Sequence, residues 1–91
     1  MTNLYVLFEG SRGARRPVSA RARAPRRGIK VRVLVEHEAI AAARVYLLHR
    51  RGDGDMVIGA SAKKDVLEAM RTQLGNAGAY EITAIPVLRP A

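Results

Sequence analysis

Nine basic side chains lie in one stretch of the chain that contains no acid. The stretch runs from Gly10 to Val35, and an arginine guanidinium can donate two parallel hydrogen bonds to phosphate oxygens. Each phosphate contact also releases counterions, which favours binding of a polyanion. We therefore predict contacts with the phosphates of a nucleic acid, DNA or RNA, without strong sequence readout. The candidate binding residues are Arg12, Arg15, Arg16, Arg21, Arg23, Arg26, Arg27, Lys30 and Arg32.

The rest of the chain is close to neutral, because its seven bases are matched by eight acids. Between Ser11 and Gly28 the only sizeable apolar side chain is Val18, so this stretch buries too little surface to offset its ordering entropy. We predict a single domain, 1–91, in which 11–28 is a mobile basic arm or long loop and 29–91 is the folded core. If six of the nine bases contact phosphates, log K falls with log salt with a slope of about −4 to −5. Two other interpretations stay open: a solvated segment without a partner, and docking on an acidic protein surface.

Metal-ligand chemistry is confined to Glu36, His37 and Glu38, with His49 as a possible further ligand. In a strand the two carboxylates would lie on one face and His37 on the other, which is a poor geometry for one ion. The run 53–55 has two aspartates but lacks the bidentate glutamate of a calcium loop. We predict a turn there and no metal site.

Catalytic patterns are equally weak. Ser11, Ser19 and Ser61 stand in no nucleophile motif, the chain has no Cys, and no glycine-rich phosphate loop follows a strand. The prediction is a protein that is not an enzyme and needs no cofactor.

Length and composition predict one small domain. The chain has 91 residues and a net charge of +8, and without Cys its stability must come from packing. The longest apolar stretch, 39–48, is interrupted by Arg44 and is shorter than the ~20 residues of a bilayer span. The first ten residues lack the basic start and long apolar run of a secretory signal. We expect a cytoplasmic protein without membrane contact.

Apolar periodicity predicts the elements that must position these side chains. Alternating or compact apolar runs indicate strands at 4–8, 29–35, 45–49, 56–60 and 80–87, and the spacing at 62–74 indicates an amphipathic helix with Ser61 as its N-cap. A short helical turn is expected within 36–44. Pro86 cannot donate to a ladder, so the last strand is expected at a sheet edge or to end at a bulge. The predicted fold is α+β: a small antiparallel sheet of about four to five strands, covered on one face by one main helix, with an Arg-rich arm between the first two strands.

The segment 45–87 contains a pattern made by Val45, Tyr46, Leu47, Leu48, Ile58, Gly59, Ser61, Tyr80, Glu81 and Ile82. In this pattern the segment resembles small uncharacterised accessory proteins of actinobacteria and their phages. The resemblance covers under half of the chain and contains no motif tied to chemistry, so it implies a fold and not an activity.

A second functional hypothesis is a protein-interaction module of a phage or mobile element, either a virion component or an inhibitor of a host protein. The predicted edge strand also makes a homo-oligomer plausible.

Overall fold

The computed structural model describes residues 1–89, except for the side chains of Gly54 and Asp55. Within this range six strands are combined with two helices and one 3-10 turn. The elements are β1 (Thr2–Glu9), β2 (Arg16–Arg21), β3 (Ile29–Val35), α1 (Glu38–Ala42), β4 (Arg44–Arg50), β5 (Asp53–Ser61), α2 (Lys64–Gln73), the 3-10 turn (Ala77–Ala79) and β6 (Tyr80–Leu88). Five of the strands and both helices lie where the apolar pattern predicts them, and β2 was not predicted.

All six strands belong to one sheet, in the order β3-β1-β2-β6-β4-β5. β1 is antiparallel to β2 and β3, and β4 is antiparallel to β5 and β6. The two halves are joined by the parallel pair of β2 and β6. The outer strands β3 and β5 lie next to each other, so the sheet curves until it nearly closes, like a barrel.

The predicted fold class is therefore wrong. The sheet has six strands rather than four to five, it contains a parallel pair, and it curves around its own core instead of being covered on one face by one main helix. The predicted arm between the first two strands is replaced by β2 and its connections.

The core lies on the inner face of the curved sheet. Because side chains alternate along a strand, β1 places Leu4, Val6 and Phe8 inside. The other strands contribute in the same way, with Ala20, Val35, Val45, Leu47, Ile85 and Val87 buried in one cluster. Apolar side chains from opposite sides of the sheet thus cover one another from water.

Each end of the core is closed by a different device. At one end α1 inserts Ala39, which is fully buried, and the C-capping Ala43 accepts a 2.9 Å hydrogen bond from the backbone N–H of Val87. At the other end His49 is buried, with its Nε2 2.7 Å from Thr83 Oγ1.

The longer helix, α2, packs on the convex outer face of the β6-β4-β5 half. Its Leu67 is fully buried, and it approaches β5 at Gly59, where a Cβ would lie 2.9 Å from Met70 Sδ. A side chain at Gly59 would therefore require the flexible side chain of Met70 to move. No helix within residues 1–89 combines the length and the apolar character needed to cross a membrane.

The predicted N-cap at Ser61 is wrong, because α2 begins at Lys64 and is preceded by Lys63 as its N-cap. Ser61 instead ends β5 and is buried. Its Oγ accepts the N–H of Lys63 at 3.0 Å and donates to Glu36 Oε2 at 2.9 Å. The hydroxyl thus ties the end of β5 to the chain before α1.

β2 occupies an interior position of the sheet although it is flanked by arginines. It buries small side chains, Ser19 and Ala20, together with Pro17 at its second position. Because β2 pairs with β6, the expectation of an edge position for the last strand is also wrong. Pro86 has no N–H to donate to β2. It is tolerated because only Val87 and Leu88, which follow it in β6, pair with β2.

Candidate nucleic-acid interface

The connection from β2 to β3, residues 22–28, must cross β1. β2 and β3 lie on opposite sides of β1 and both run antiparallel to it, so the chain has to travel back along β1 before β3 begins. It passes over the outer face: a Cβ built at Gly28 would lie 2.8 Å from Leu7 Cδ1, and Gly28 has a φ of +96°. A residue other than glycine would be strained at this point. We call residues 22–28 the crossover.

The crossover packs on the sheet and presents three arginines to solvent. Ser19, which is paired with Leu7 on the outer face, is only 7% exposed, whereas Arg23, Arg26 and Arg27 are exposed. These arginines therefore belong to a segment that lies against the outer face of the sheet.

Beside the crossover, Tyr5 on β1 lies between two further bases, Arg21 on β2 and Arg32 on β3. Tyr5 is the register partner of Arg21 on β2 and of Arg32 on β3, and partners in an antiparallel ladder share a face. Leu4 and Val6 point inward, so this row points outward, and Lys30 is on the same face opposite Leu7. We call the set of six exposed bases on this side the basic face: Arg21, Arg23, Arg26, Arg27, Lys30 and Arg32.

In the part of the chain that the structure describes, the charges of the basic face have no carboxylate partners. Within residues 1–89, none of these six side chains lies within 4.0 Å of a carboxylate. The ion pairs that form are elsewhere, for example between Arg51 and Glu81 at 3.6 Å and between Lys64 and Glu68 at 3.8 Å. Six like charges on one surface, without internal counterions, produce a local positive potential that attracts polyanions.

The other three predicted residues lie elsewhere. Arg12, Arg15 and Arg16 belong to the turn between β1 and β2 and to the start of β2, at the end of the sheet where β4 meets β5. Arg15 is half-buried, and together with Arg16 and Glu81 it lines a cleft of 270 Å³. The structure thus divides the nine predicted residues into a group of six and a group of three.

Two functional candidates were missed because β2 was not recognised as a strand. The parallel pairing of β2 with β6 places Leu88 beside Arg21 and brings Arg89 to the same region. Tyr5 is half-buried on the outer face between two arginines. The alternation of residues 4–8 could have placed Tyr5 opposite Leu4 and Val6, but no local signal in the sequence links Arg89 to Arg21.

The residues weighed as metal ligands have other partners. The carboxylate of Glu36 accepts the N–H of Ala62 at 2.5 Å besides the hydroxyl of Ser61. His37 Nδ1 lies 3.3 Å from Thr2 Oγ1, and His49 is at the opposite end of the core. Among residues 1–89, no three His, Cys, Asp or Glu side chains are gathered in a way that could hold a metal ion.

The aspartates of the 53–55 run follow a tight turn. The turn predicted at 53–55 is wrong in position: β4 ends at Arg50 and β5 begins at Asp53, so the turn lies at Arg51 and Gly52, and 53–55 belong to β5. The side chain of Asp55, which belongs to the weighed calcium-loop pattern, lies outside the described part of the chain.

Comparison with known proteins adds no further guide to this surface. The chain matches no protein-family model, and neither the search of curated proteins nor the search of solved structures finds a match.

Proposed function

We propose that this chain is a non-enzymatic binding protein whose basic face contacts the phosphates of a nucleic acid without strong sequence readout. The observation that supports the proposal best is the absence, within residues 1–89, of any carboxylate within 4.0 Å of the six bases on this face. Exposed arginines without internal partners remain free to donate paired hydrogen bonds to phosphate oxygens. A folded surface also loses less conformational entropy on binding than a mobile arm would.

The shape of the basic face supports the proposal of weak sequence readout. Reading bases requires an element that enters a groove or holds splayed bases, and the longer helix, α2, packs on the other half of the sheet. Tyr5 is half-buried between Arg21 and Arg32. A single aromatic ring of this kind can stack on any base, so it adds affinity and little discrimination.

The alternative is a protein-interaction module of a phage or mobile element, and a different surface favours it. The adjacent outer strands β3 and β5 carry exposed apolar side chains, among them Leu34 at 53% and Ile58 at 44%. Together they line a cleft of 260 Å³ between the two strands. Apolar patches on a small protein are a common feature of protein interfaces.

The salt dependence of binding separates the two functions. If the six bases of the basic face each meet a phosphate, the slope of log K against log salt is about −4 on single strands and about −5 on duplexes. Affinity for a short single strand should then fall about 300-fold between 50 and 200 mM salt. Fluorescence anisotropy with strands of unrelated sequence measures both the slope and the absence of sequence preference.

Two results would contradict the nucleic-acid proposal: no binding to any strand at low salt, or a slope near zero. A stoichiometric complex with a protein that persists at high salt and after nuclease treatment would support the alternative function instead.

A further inference from the structure

An arginine-lined pocket lies between the crossover and the end of β6. Its walls come from two segments that are distant in sequence, residues 21–25 and 88–89, and its volume is about 500 Å³. We propose that this pocket binds one nucleoside monophosphate unit, with the phosphate held by Arg21, Arg23 and Arg89.

The charge of the pocket fits a phosphate monoester. Among the described residues no carboxylate lines the pocket, and none of the three arginines lies within 4.0 Å of a described acid. A phosphate monoester carries roughly −1.5 to −2 charges at neutral pH and offers three acceptor oxygens. Three guanidinium groups around one concavity match that charge and that number of acceptors better than they match the single charge of a diester phosphate within a strand.

The size and the remaining walls of the pocket indicate a ligand larger than inorganic phosphate. A volume of 500 Å³ lies within the ~300–1,000 Å³ range of small-molecule sites. Besides the arginines the walls are apolar, formed by Ala22, Ala24, Pro25 and Leu88. These aliphatic groups can pack against a sugar and a base. They offer few side-chain hydrogen-bonding groups for a base edge, so discrimination among the four bases should be weak.

The ligand has two possible sources with the same chemistry: the terminal nucleotide of a strand and a free mononucleotide. Binding of a strand's terminal nucleotide rests on the proposed function, because Arg21 belongs both to the pocket and to the basic face. A strand whose phosphorylated end occupies the pocket can continue over Tyr5 towards Arg32, since the three residues form one row across the sheet.

The test compares one short single strand in three forms: with hydroxyl ends, with a 5′-phosphate and with a 3′-phosphate. We expect one phosphorylated form to bind about tenfold more tightly than the hydroxyl form, as one or more charge-assisted hydrogen bonds would give. A parallel titration with adenosine monophosphate tests the free mononucleotide.

Two double variants test whether the preference for a phosphorylated end depends on this pocket. Each variant removes two positive charges. Arg23→Gln with Arg89→Gln should abolish the preference for the phosphorylated end, and with it any binding of adenosine monophosphate. Arg26→Gln with Arg27→Gln changes the same crossover outside the pocket lining, so it should weaken all three strands alike and keep the preference. Thermal unfolding of both variants checks that the fold is retained.

The outcomes separate this inference from the proposed function. If phosphorylated ends give no gain and adenosine monophosphate does not bind, the pocket inference is wrong, although salt-sensitive binding of the hydroxyl strand would still support the basic face. If the hydroxyl strand does not bind but adenosine monophosphate binds and requires Arg23 and Arg89, the proposed function fails while the pocket inference holds for a free nucleotide. A preference that survives Arg23→Gln with Arg89→Gln contradicts the assignment to this pocket.

Discussion

Replacing Arg26, Arg27, Lys30 and Arg32 by glutamine is expected to weaken binding to a short single strand about 600-fold at ~0.1 M salt, because each lost phosphate contact removes about 0.7 from the salt slope. The slope itself should become less steep by about 3. All four side chains are exposed and make no ion pair within residues 1–89, so the fold should be retained. Anisotropy titrations at several salt concentrations measure both effects.

A control variant with the same change in net charge tests whether the affinity depends on the position of the bases on the basic face. Glutamine at four exposed bases outside the basic face should lower the affinity less than tenfold, through the general field of the protein alone. The four control positions are Arg12, Arg16, Arg50 and Lys63. If the control variant loses as much affinity as the basic-face variant, binding depends on net charge and not on this surface.

The largest expected effect on stability is that of Leu47→Ala. Leu47 is fully buried within the cluster inside the curved sheet, and removing its side chain should lower the free energy of unfolding by about 3 kcal/mol, within the usual range of 2–5 for such sites. Leu34→Ala is the matched control: Leu34 is 53% exposed on β3, so the same substitution should cost less than about 1 kcal/mol. Urea unfolding measures both values. Equal losses for the two variants would contradict the position of the core.

Much of the secondary structure could be predicted because most elements carry a local pattern. β3 was predicted with its observed bounds, since Val31, Val33 and Val35 alternate with Lys30 and Arg32. The helix at 62–74 was recognised from its apolar stripe, although it begins two residues later at Lys64. Helix boundaries depend on capping contacts, and here Ser61 is engaged by Glu36 from a distant part of the chain.

β2 could not be predicted because its stability is not local. β2 buries small side chains instead of large ones. Its pairing register with β1 shifts between Leu7 and Phe8, so that Val18 interrupts the alternation of inward and outward side chains along β2. Its partners β1 and β6 lie at opposite ends of the sequence. The same gap explains the wrong fold class: alternating strands can form a flat or a closed sheet, and only β2 joins the two halves into one curved sheet.

The candidate site was predicted in composition but not in arrangement. The sequence identifies nine bases without an acid among them, and the structure collects six of these on one face while Arg15 and Arg16 lie beside Glu81 at the end of the sheet. It also adds Arg89, which only the pairing of β6 with β2 brings close to Arg21.

The most direct test of the central claim is a map of the bound surface by nuclear magnetic resonance. During titration with a short single strand at low salt, we expect the backbone amide signals of residues 21–32 and of Arg89 to shift, with little change in α2. The shifts should reverse when the salt concentration is raised, because the contacts are made with phosphates. Shifts confined to the turn around Arg12 or to the apolar cleft between β3 and β5, or shifts that persist at high salt, would contradict the proposed role of the basic face.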